Sequence, residues 1–299
     1  MADADALFDR AARALAAHDL AAARDLFGKA GAAGRHDAEV IHCNLVAAGG
    51  EWARGIALLR ELAARDRRCA RELAMVEAMD LDAQGDPRAA PAGAVIGEAP
   101  HLTWFERLLA QAECDYLVGA ASPMLEPSVV VDPRTGRQVR DSVRTSDGVG
   151  FTSPLENPAV HALNRRIAAA SSTRVDQGEP LQVLRYRPGQ QYRPHFDAIP
   201  GFANQRMLTM IVWLNEEYRG GETLFMKTGR KLKGRAGHAL LFRNATADGR
   251  RDEAAAHAGL PVTQGEKMIA SRWIRRRRFE PPTEVPGRGA PRFPFEGVP

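Results

Sequence analysis

The apolar residues of this 299-residue chain change their period once, and the change falls in a stretch rich in proline and glycine. Up to about Leu81, proline is absent and apolar side chains recur three or four residues apart, as in Leu7, Ala11, Ala14 and Leu15, then Leu20, Ala23, Leu26 and Phe27. That spacing places them on one face of a helix. Beyond about residue 180 the period moves toward two: LQVLRYRP (181–188), TMIVWLN (209–215), HALLFRN (238–244) and MIASRWI (268–274) are short, β-branched or aromatic, and bounded by Gly, Pro or Asn. Such runs read as strands. A chain built this way folds as α+β, with an all-α part followed by an antiparallel strand core. The expected domains are a helical repeat-like region at 1–81, a linker at 82–100, a β domain with flanking helices at 101–280, and a proline-rich tail at 281–299.

Within the first region, glycines near 31–34 and 49–50 punctuate four or five short antiparallel helices, and Asp19 and Glu51 stand at helix starts. The segment beginning Asp19-Leu-Ala-Ala-Ala-Arg has an imperfect echo 32 residues later at Glu51-Trp-Ala-Arg-Gly-Ile. This is close to the ~34-residue period of helix-pair repeats. A plain helical bundle and a peptide-holding groove both fit the pattern. Thr103–Ala121 and Pro158–Ala170 read as further helices ahead of the strands.

Charge and cysteine content narrow the function classes. Lys and Arg number 41 against 37 Asp and Glu, too mild an excess to indicate a nucleic-acid partner, and the Arg275–Arg278 run reads as a solvated strand end. Mean hydropathy is −0.33 and no apolar run approaches the ~20 residues of a membrane span. The acidic start MADADALFDR lacks the pattern of a secretion signal, and Cys43, Cys69 and Cys114 fit neither a disulfide framework nor a zinc spacing. The expectation is a cytoplasmic protein with no membrane partner.

Chemistry is concentrated in the strand region. His195 and Asp197 lie two apart in an extended segment and share one face. With His257 from a later strand they would form a two-histidine, one-carboxylate set that leaves three metal positions open, as non-haem Fe(II) oxygenases require. Such iron needs an electron source, which a 2-oxo acid supplies. The distal carboxylate of that acid needs a buried cation and hydroxyl donors, for which Lys267, Thr209 and Tyr186 are the candidates.

The ordered series VLRYRPGQQYRPHFD, RMLTMIVWLN, YRGGETLF and HAGLPVTQGEKMIASRWI resembles the catalytic domain of prolyl 4-hydroxylases, which are Fe(II)- and 2-oxoglutarate-dependent dioxygenases. VRTSDGVGF (143–151) fits their lead-in, and the resemblance spans roughly residues 100–280. It implies a C-terminal double-stranded β-helix (jelly-roll) preceded by the helical, tetratricopeptide- or Sel1-like region. It also implies iron held by His195, Asp197 and His257, and 2-oxoglutarate anchored by Lys267 with Tyr186 and Thr209. O2 is the oxidant and L-ascorbate the reductant. By the same resemblance Tyr192, Arg206 and Trp273 lie near substrate, although Trp273 could equally fill the barrel and Arg206 could pair with a carboxylate. Gly220-Gly221 reads as a tight turn, and Arg275 stands where related enzymes often carry a different polar residue beside the cleft. The implied substrate is a prolyl residue in a peptide or protein, held in part by the helical region. A free amino acid or small metabolite is the alternative within the enzyme class, and a non-catalytic scaffold the alternative outside it.

Overall fold

The computed structural model describes residues 2–131, 138–140 and 143–280, so the proline-rich segment expected at 281–299 lies outside the described residues. The chain divides into two compact units. One holds residues 1–88 and 151–163, the other residues 89–150 and 164–280.

The first unit opens with α1 (Ala2–Ala16), α2 (Leu20–Ala32), α3 (His36–Ala48), α4 (Trp52–Ala63) and α5 (Arg67–Ala78). Each helix packs on the next, and Phe8, Ala11, Leu15, Ala23, Phe27, Ile41 and Leu45 interlock in a core of small and large side chains. The starts follow their capping residues: the Asp19 carboxylate accepts from the Ala22 N–H at the head of α2. Glu51, ahead of α4, makes no cap bond and instead takes Arg24 and Arg54 as ion partners. The segment 151–163 completes this unit, with the Asn44 amide donating to the Pro154 carbonyl at 2.9 Å and the Trp52 and His161 rings 6.4 Å apart.

After α5 the chain forms β1 (Ala94–Glu98), β2 (His101–Phe105), α6 (Gln111–Ala121), β3 (Glu126–Pro127), β4 (Val129–Val131), β5 (Gln138–Arg140), β6 (Asp147–Phe151) and α7 (Pro158–Ala170). The strand core follows with β7 (Leu181–Tyr186), β8 (Tyr192–His195), β9 (Arg206–Trp213), β10 (Arg219–Gly220), β11 (Thr223–Phe225), β12 (Lys231–Leu232), β13 (Ala239–Arg243), β14 (His257–Gly259), β15 (Val262–Gln264) and β16 (Lys267–Arg275). An eight-stranded sheet in the order β1-β2-β13-β9-β16-β7-β6-β3 and a four-stranded sheet in the order β12-β11-β14-β8 form an antiparallel sandwich of the jelly-roll kind. Its core gathers Leu184, Tyr186, Ile211, Trp213, Phe225, Phe242 and Ile269.

Three sequence expectations change. The helix expected over Thr103–Ala121 begins only at Gln111, where the Glu113 carboxylate accepts from the Ala110 N–H. His101–Phe105 is a strand instead. Its aromatic and β-branched residues pair with β13 on one side and with β1 on the other, and sheet pairing overrides a helical spacing this short. The proline and glycine composition of 82–100 likewise conceals β1. The Arg275–Arg278 run is also only partly a solvated end: Arg275 is buried as the last residue of β16, and exposure begins at Arg276. Among the described residues, no helix is long and apolar enough to cross a membrane.

Candidate active site

His195 ends β8, Asp197 follows it by two residues, and His257 opens β14. The β8–β14 pairing sets His257 opposite His195 in register. The facing ligand atoms of the three side chains lie within 4.8 Å of one another, with His195 Nε2 at 3.6 Å and His257 Nε2 at 3.8 Å from the carboxylate oxygens of Asp197.

Backbone carbonyls set the tautomers. His195 Nδ1 lies 2.8 Å from the Arg193 carbonyl and His257 Nδ1 lies 2.9 Å from that of Ala255. A carbonyl can only accept, so each Nδ1 carries the proton and each Nε2 presents a lone pair to its neighbours. Burial holds the His257 imidazole down at about 4, so it is neutral and free to ligate at pH 7. Burial acts to raise the Asp197 carboxyl, but His257, His195 and the Thr209 hydroxyl together hold it well below the ordinary carboxylate range. Two imidazole lone pairs and an ionised carboxylate facing each other in a buried cluster are the donor set of a divalent cation. The geometry fits the facial two-histidine, one-carboxylate arrangement of non-haem Fe(II).

The same cavity extends along β16. Lys267, Ile269, Ser271 and Trp273, at every second position, all line it, as do Leu184 and Tyr186 of β7 and Thr209 and Ile211 of β9. From Lys267 to Trp273 the strand runs about 20 Å. The register puts Lys267 opposite Tyr186 and Trp273 opposite Thr209, so the ammonium and the triad belong to different stretches of one elongated space. Lys267 is buried, its Nζ donating to the Gly221 carbonyl at 2.6 Å and standing 5.3 Å from the Tyr186 ring centroid. Burial pushes its pKa down to about 8, against the pull of Glu222 and with the help of Lys233. A buried cation beside Tyr186 is what the far carboxylate of a dicarboxylic co-substrate needs.

Of the residues expected from the sequence, His195, Asp197, His257, Lys267, Tyr186, Thr209, Tyr192 and Trp273 all line this cavity, and Tyr192 stacks on His195 with ring centroids 3.4 Å apart. Arg206 does not line it. Its guanidinium is held by Glu179 at 2.5 and 2.8 Å and lies 3.7 Å over the Trp273 ring, so its electrostatic partner is the sheet carboxylate and it reaches the cavity only through the indole. Thr209 is placed differently from expectation. Its hydroxyl donates to Asp197 at 2.6 Å while accepting from the Asn244 amide at 2.7 Å.

Four participants were missed. Ser271 could have been found by continuing the two-residue period from Lys267. Arg144 and Thr223 line the cavity from VRTSDGVGF and YRGGETLF, segments that carried the resemblance but were given no site residue, and Asn244 touches the site through Thr209.

Residues 181–275 match the 2OG-Fe(II) oxygenase superfamily. The chain is 35% identical over 202 residues to prolyl 4-hydroxylase 1 of Arabidopsis thaliana, covering 61% of this chain and 71% of that protein. It is 31% identical over 210 residues to prolyl 4-hydroxylase 5 of the same plant, covering 62% and 72%. Among solved structures it is similar to the viral collagen prolyl hydroxylase of Paramecium bursaria Chlorella virus-1, at 29% identity and a TM-score of 0.47, covering 58% of this chain and 95% of that one. Fe(II), 2-oxoglutarate and O2 are the cofactor and co-substrates of this superfamily, and ascorbate is its typical reductant. With the metal-binding geometry in place and two thirds or more of each of these plant relatives matched, the chain belongs to the prolyl 4-hydroxylase family of 2-oxoglutarate-dependent Fe(II) dioxygenases.

Proposed function

We propose that this enzyme hydroxylates a prolyl residue within a peptide or protein. The observation that carries the chemistry is the convergence of His195, Asp197, His257 and Lys267 on one cavity, and the names of the plant relatives support a prolyl target. Iron with 2-oxoglutarate and O2 supplies the oxidising power, one oxygen atom entering a C–H bond of the substrate while the co-substrate becomes succinate and CO2. The remaining work belongs to the chain. His195, Asp197 and His257 would hold the metal, Lys267 with Tyr186 would orient the organic acid, and the apolar walls at Leu184, Ile211 and Ile269 exclude water. Tyr192 and Trp273 shape the space where the target ring would rest.

The same proposal gives the helical unit the task of holding polypeptide, supported by a recess lined by Gly28, His42, Leu58, Glu61 and Leu62. Leu58→Arg in the full chain should then raise KM for long peptides and leave short ones unaffected. A cytoplasmic, reducing setting is also part of this reading, and three buried cysteines kept as free thiols support it.

The experiment is incubation of the full chain with Fe(II), 2-oxoglutarate, ascorbate and proline-containing peptides. The expected result is a peptide mass gain of about 16 Da with one succinate per turnover, abolished in Asp197→Ala. Succinate formed only with free proline or another small molecule would overturn the polypeptide reading.

A further inference from the structure

In the helical unit, three consecutive helices each turn one face toward a common recess. Gly28 of α2, Glu39 and His42 of α3, and Leu58, Glu61 and Leu62 of α4 line it, spaced as one face of a helix requires. Its volume is about 220 Å³, many times the roughly 10–15 Å³ that a single water needs. Gly28 lets the His42 ring lie against α2, since a Cβ there would stand 2.9 Å from His42 Cε1. His42 Nδ1 lies 2.9 Å from the Arg24 carbonyl, which can only accept, so in the neutral ring Nε2 keeps a lone pair. That nitrogen has no hydrogen-bond partner among the described residues.

The charges of the recess are paired except at one point. Glu39 takes Arg65, another lining residue, at 2.8 Å on one oxygen and His36 at 3.2 Å on the other, and His36 also meets Asp66 at 2.9 Å. Glu61 forms no hydrogen bond or ion pair among the described residues and pulls on the Arg65 guanidinium only from beyond ion-pair reach. Arg65 is more than half exposed, and such a pair contributes little to stability, so the guanidinium on Glu39 can be displaced at small cost. It also shows that a cation fits at this wall. The wider field agrees: residues 1–88 and 151–163 carry 12 Lys and Arg against 16 Asp and Glu, while the other residues carry 29 against 21. The helical unit attracts cations, in a chain whose net charge is positive.

We propose that this recess reads a Lys or Arg side chain of the polypeptide substrate, at a residue other than the one hydroxylated. A long basic side chain has two parts, and the recess offers a surface for each. The aliphatic stem lies along Leu58 and Leu62, and the charged head reaches the Glu61 carboxylate with the His42 Nε2 lone pair as a second acceptor. An acidic side chain would meet Glu61 as a like charge, and an apolar one would leave both acceptors unused. This inference rests on the proposal that the helical unit holds polypeptide, and it names what that unit reads.

The test uses the full chain and fluorescein-labelled peptides of equal length, each with a central proline flanked on both sides by several Lys, Arg, Gln or Glu residues. Binding is read by anisotropy on the metal-free protein at physiological salt, and hydroxylation by mass on the iron-loaded protein. The Lys and Arg peptides should bind about five- to fiftyfold more tightly than the Gln peptide, and the Glu peptide most weakly. Glu61→Gln should bring the basic peptides down to the Gln peptide and raise their KM with kcat unchanged. Glu61 is exposed, so this substitution leaves the helical core intact. Glu61→Asp should keep part of the preference. Glu77→Gln, which removes an exposed carboxylate of α5 outside the recess, should leave it in place. The positive charge of the whole chain would by itself favour the Glu peptide, so tightest binding of that peptide overturns the inference. Equal binding of all four peptides does so too, as does a basic preference that survives Glu61→Gln. A basic preference lost in Glu61→Gln with no mass gain on any peptide would remove the prolyl reading and leave the recess standing. A mass gain without charge preference would do the reverse.

Discussion

The Thr209 hydroxyl donates to Asp197 Oδ2 at 2.6 Å and receives the Asn244 amide at 2.7 Å. The direction of this buried chain is fixed at both ends, because the amide nitrogen can only donate and the ionised carboxylate can only accept. The single proton of Thr209 is therefore committed to Asp197. What sequence reasoning assigned to the co-substrate is, in this arrangement, a group that orients a metal-facing carboxylate.

Thr209→Val removes the hydroxyl while keeping the branched shape, and leaves one Asp197 oxygen and the Asn244 amide without partners. Metal affinity should fall about 10- to 100-fold, the usual effect of losing a group that orients a ligand. Anaerobic Fe(II) or Mn(II) titration reads it directly, and Thr209→Ser should restore most of the loss. Affinity equal to that of the unaltered protein would show that Asp197 needs no such support.

Lys267 makes the use of 2-oxoglutarate dependent on pH. Its folded pKa of about 8 lies below the ordinary lysine value, with burial as the main cause. The charged form that a carboxylate needs is therefore present below about pH 8 and lost above it. KM for 2-oxoglutarate should rise as pH passes through 8. In Lys267→Arg, whose guanidinium stays charged, that rise should vanish even if the baseline KM is altered. Lys267→Ala should raise KM about 10- to 100-fold at pH 7 through loss of a buried charge-assisted bond. A flat pH profile in the unaltered protein would remove Lys267 as the anchor.

How far the site can be read from sequence depends on what each residue does. His195, Asp197, His257 and Lys267 carry chemistry in their side chains and sit on strands whose two-residue period exposes which face they share, so their convergence was legible. Arg144 is a lone arginine in a segment without period, and only the bridge to Tyr192 brings it to the cavity. Glu179 carries no signal in the sequence, yet it is the carboxylate on which Arg206 and Arg275 meet, a fact that depends on strand register and not on spacing. The fold shows the same limit: long strands were visible, whereas β1 and β2 are short, and β2 finds its partner β13 more than 130 residues away.

Gly221 was expected to do no more than turn the chain, but its carbonyl also holds the Lys267 ammonium. It has φ +70°, and an added Cβ would lie 3.0 Å from Val262 Cγ2 and 3.1 Å from Lys267 Cδ. Gly221→Ala should therefore cost about 1–3 kcal/mol in strain and displace the ammonium. The expected kinetic signature is a raised KM for 2-oxoglutarate with Fe(II) affinity unchanged. Equal weakening of both would mean the substitution disturbs the sandwich as a whole.

A carboxyl remote from this chemistry should govern how stability varies with pH. Glu72 of α5 is buried in the helical unit; burial pushes its pKa up to about 8, Asp66 adds to the rise, and the Ala159 N–H it accepts from works against it. The neighbouring thiols of Cys43 and Cys69 are raised too, to about 12 for Cys69, and stay neutral across the range that matters. Below about pH 4.5 Glu72 is protonated whether the chain is folded or not. Between about 4.5 and 8 the unfolded chain releases the proton and the folded chain keeps it, so the unfolded state is favoured by up to about 1.4 kcal/mol per pH unit. Glu72→Gln keeps an acceptor for the Ala159 N–H and removes the titration. Melting of the two proteins compared at pH 5, 6.5 and 8 should show the variant gaining on the unaltered chain with each step upward. Metal-site contributions are common to both proteins and cancel in the difference. Parallel curves would show that the Glu72 carboxyl is ionised in the folded protein and that its burial is relieved by solvent.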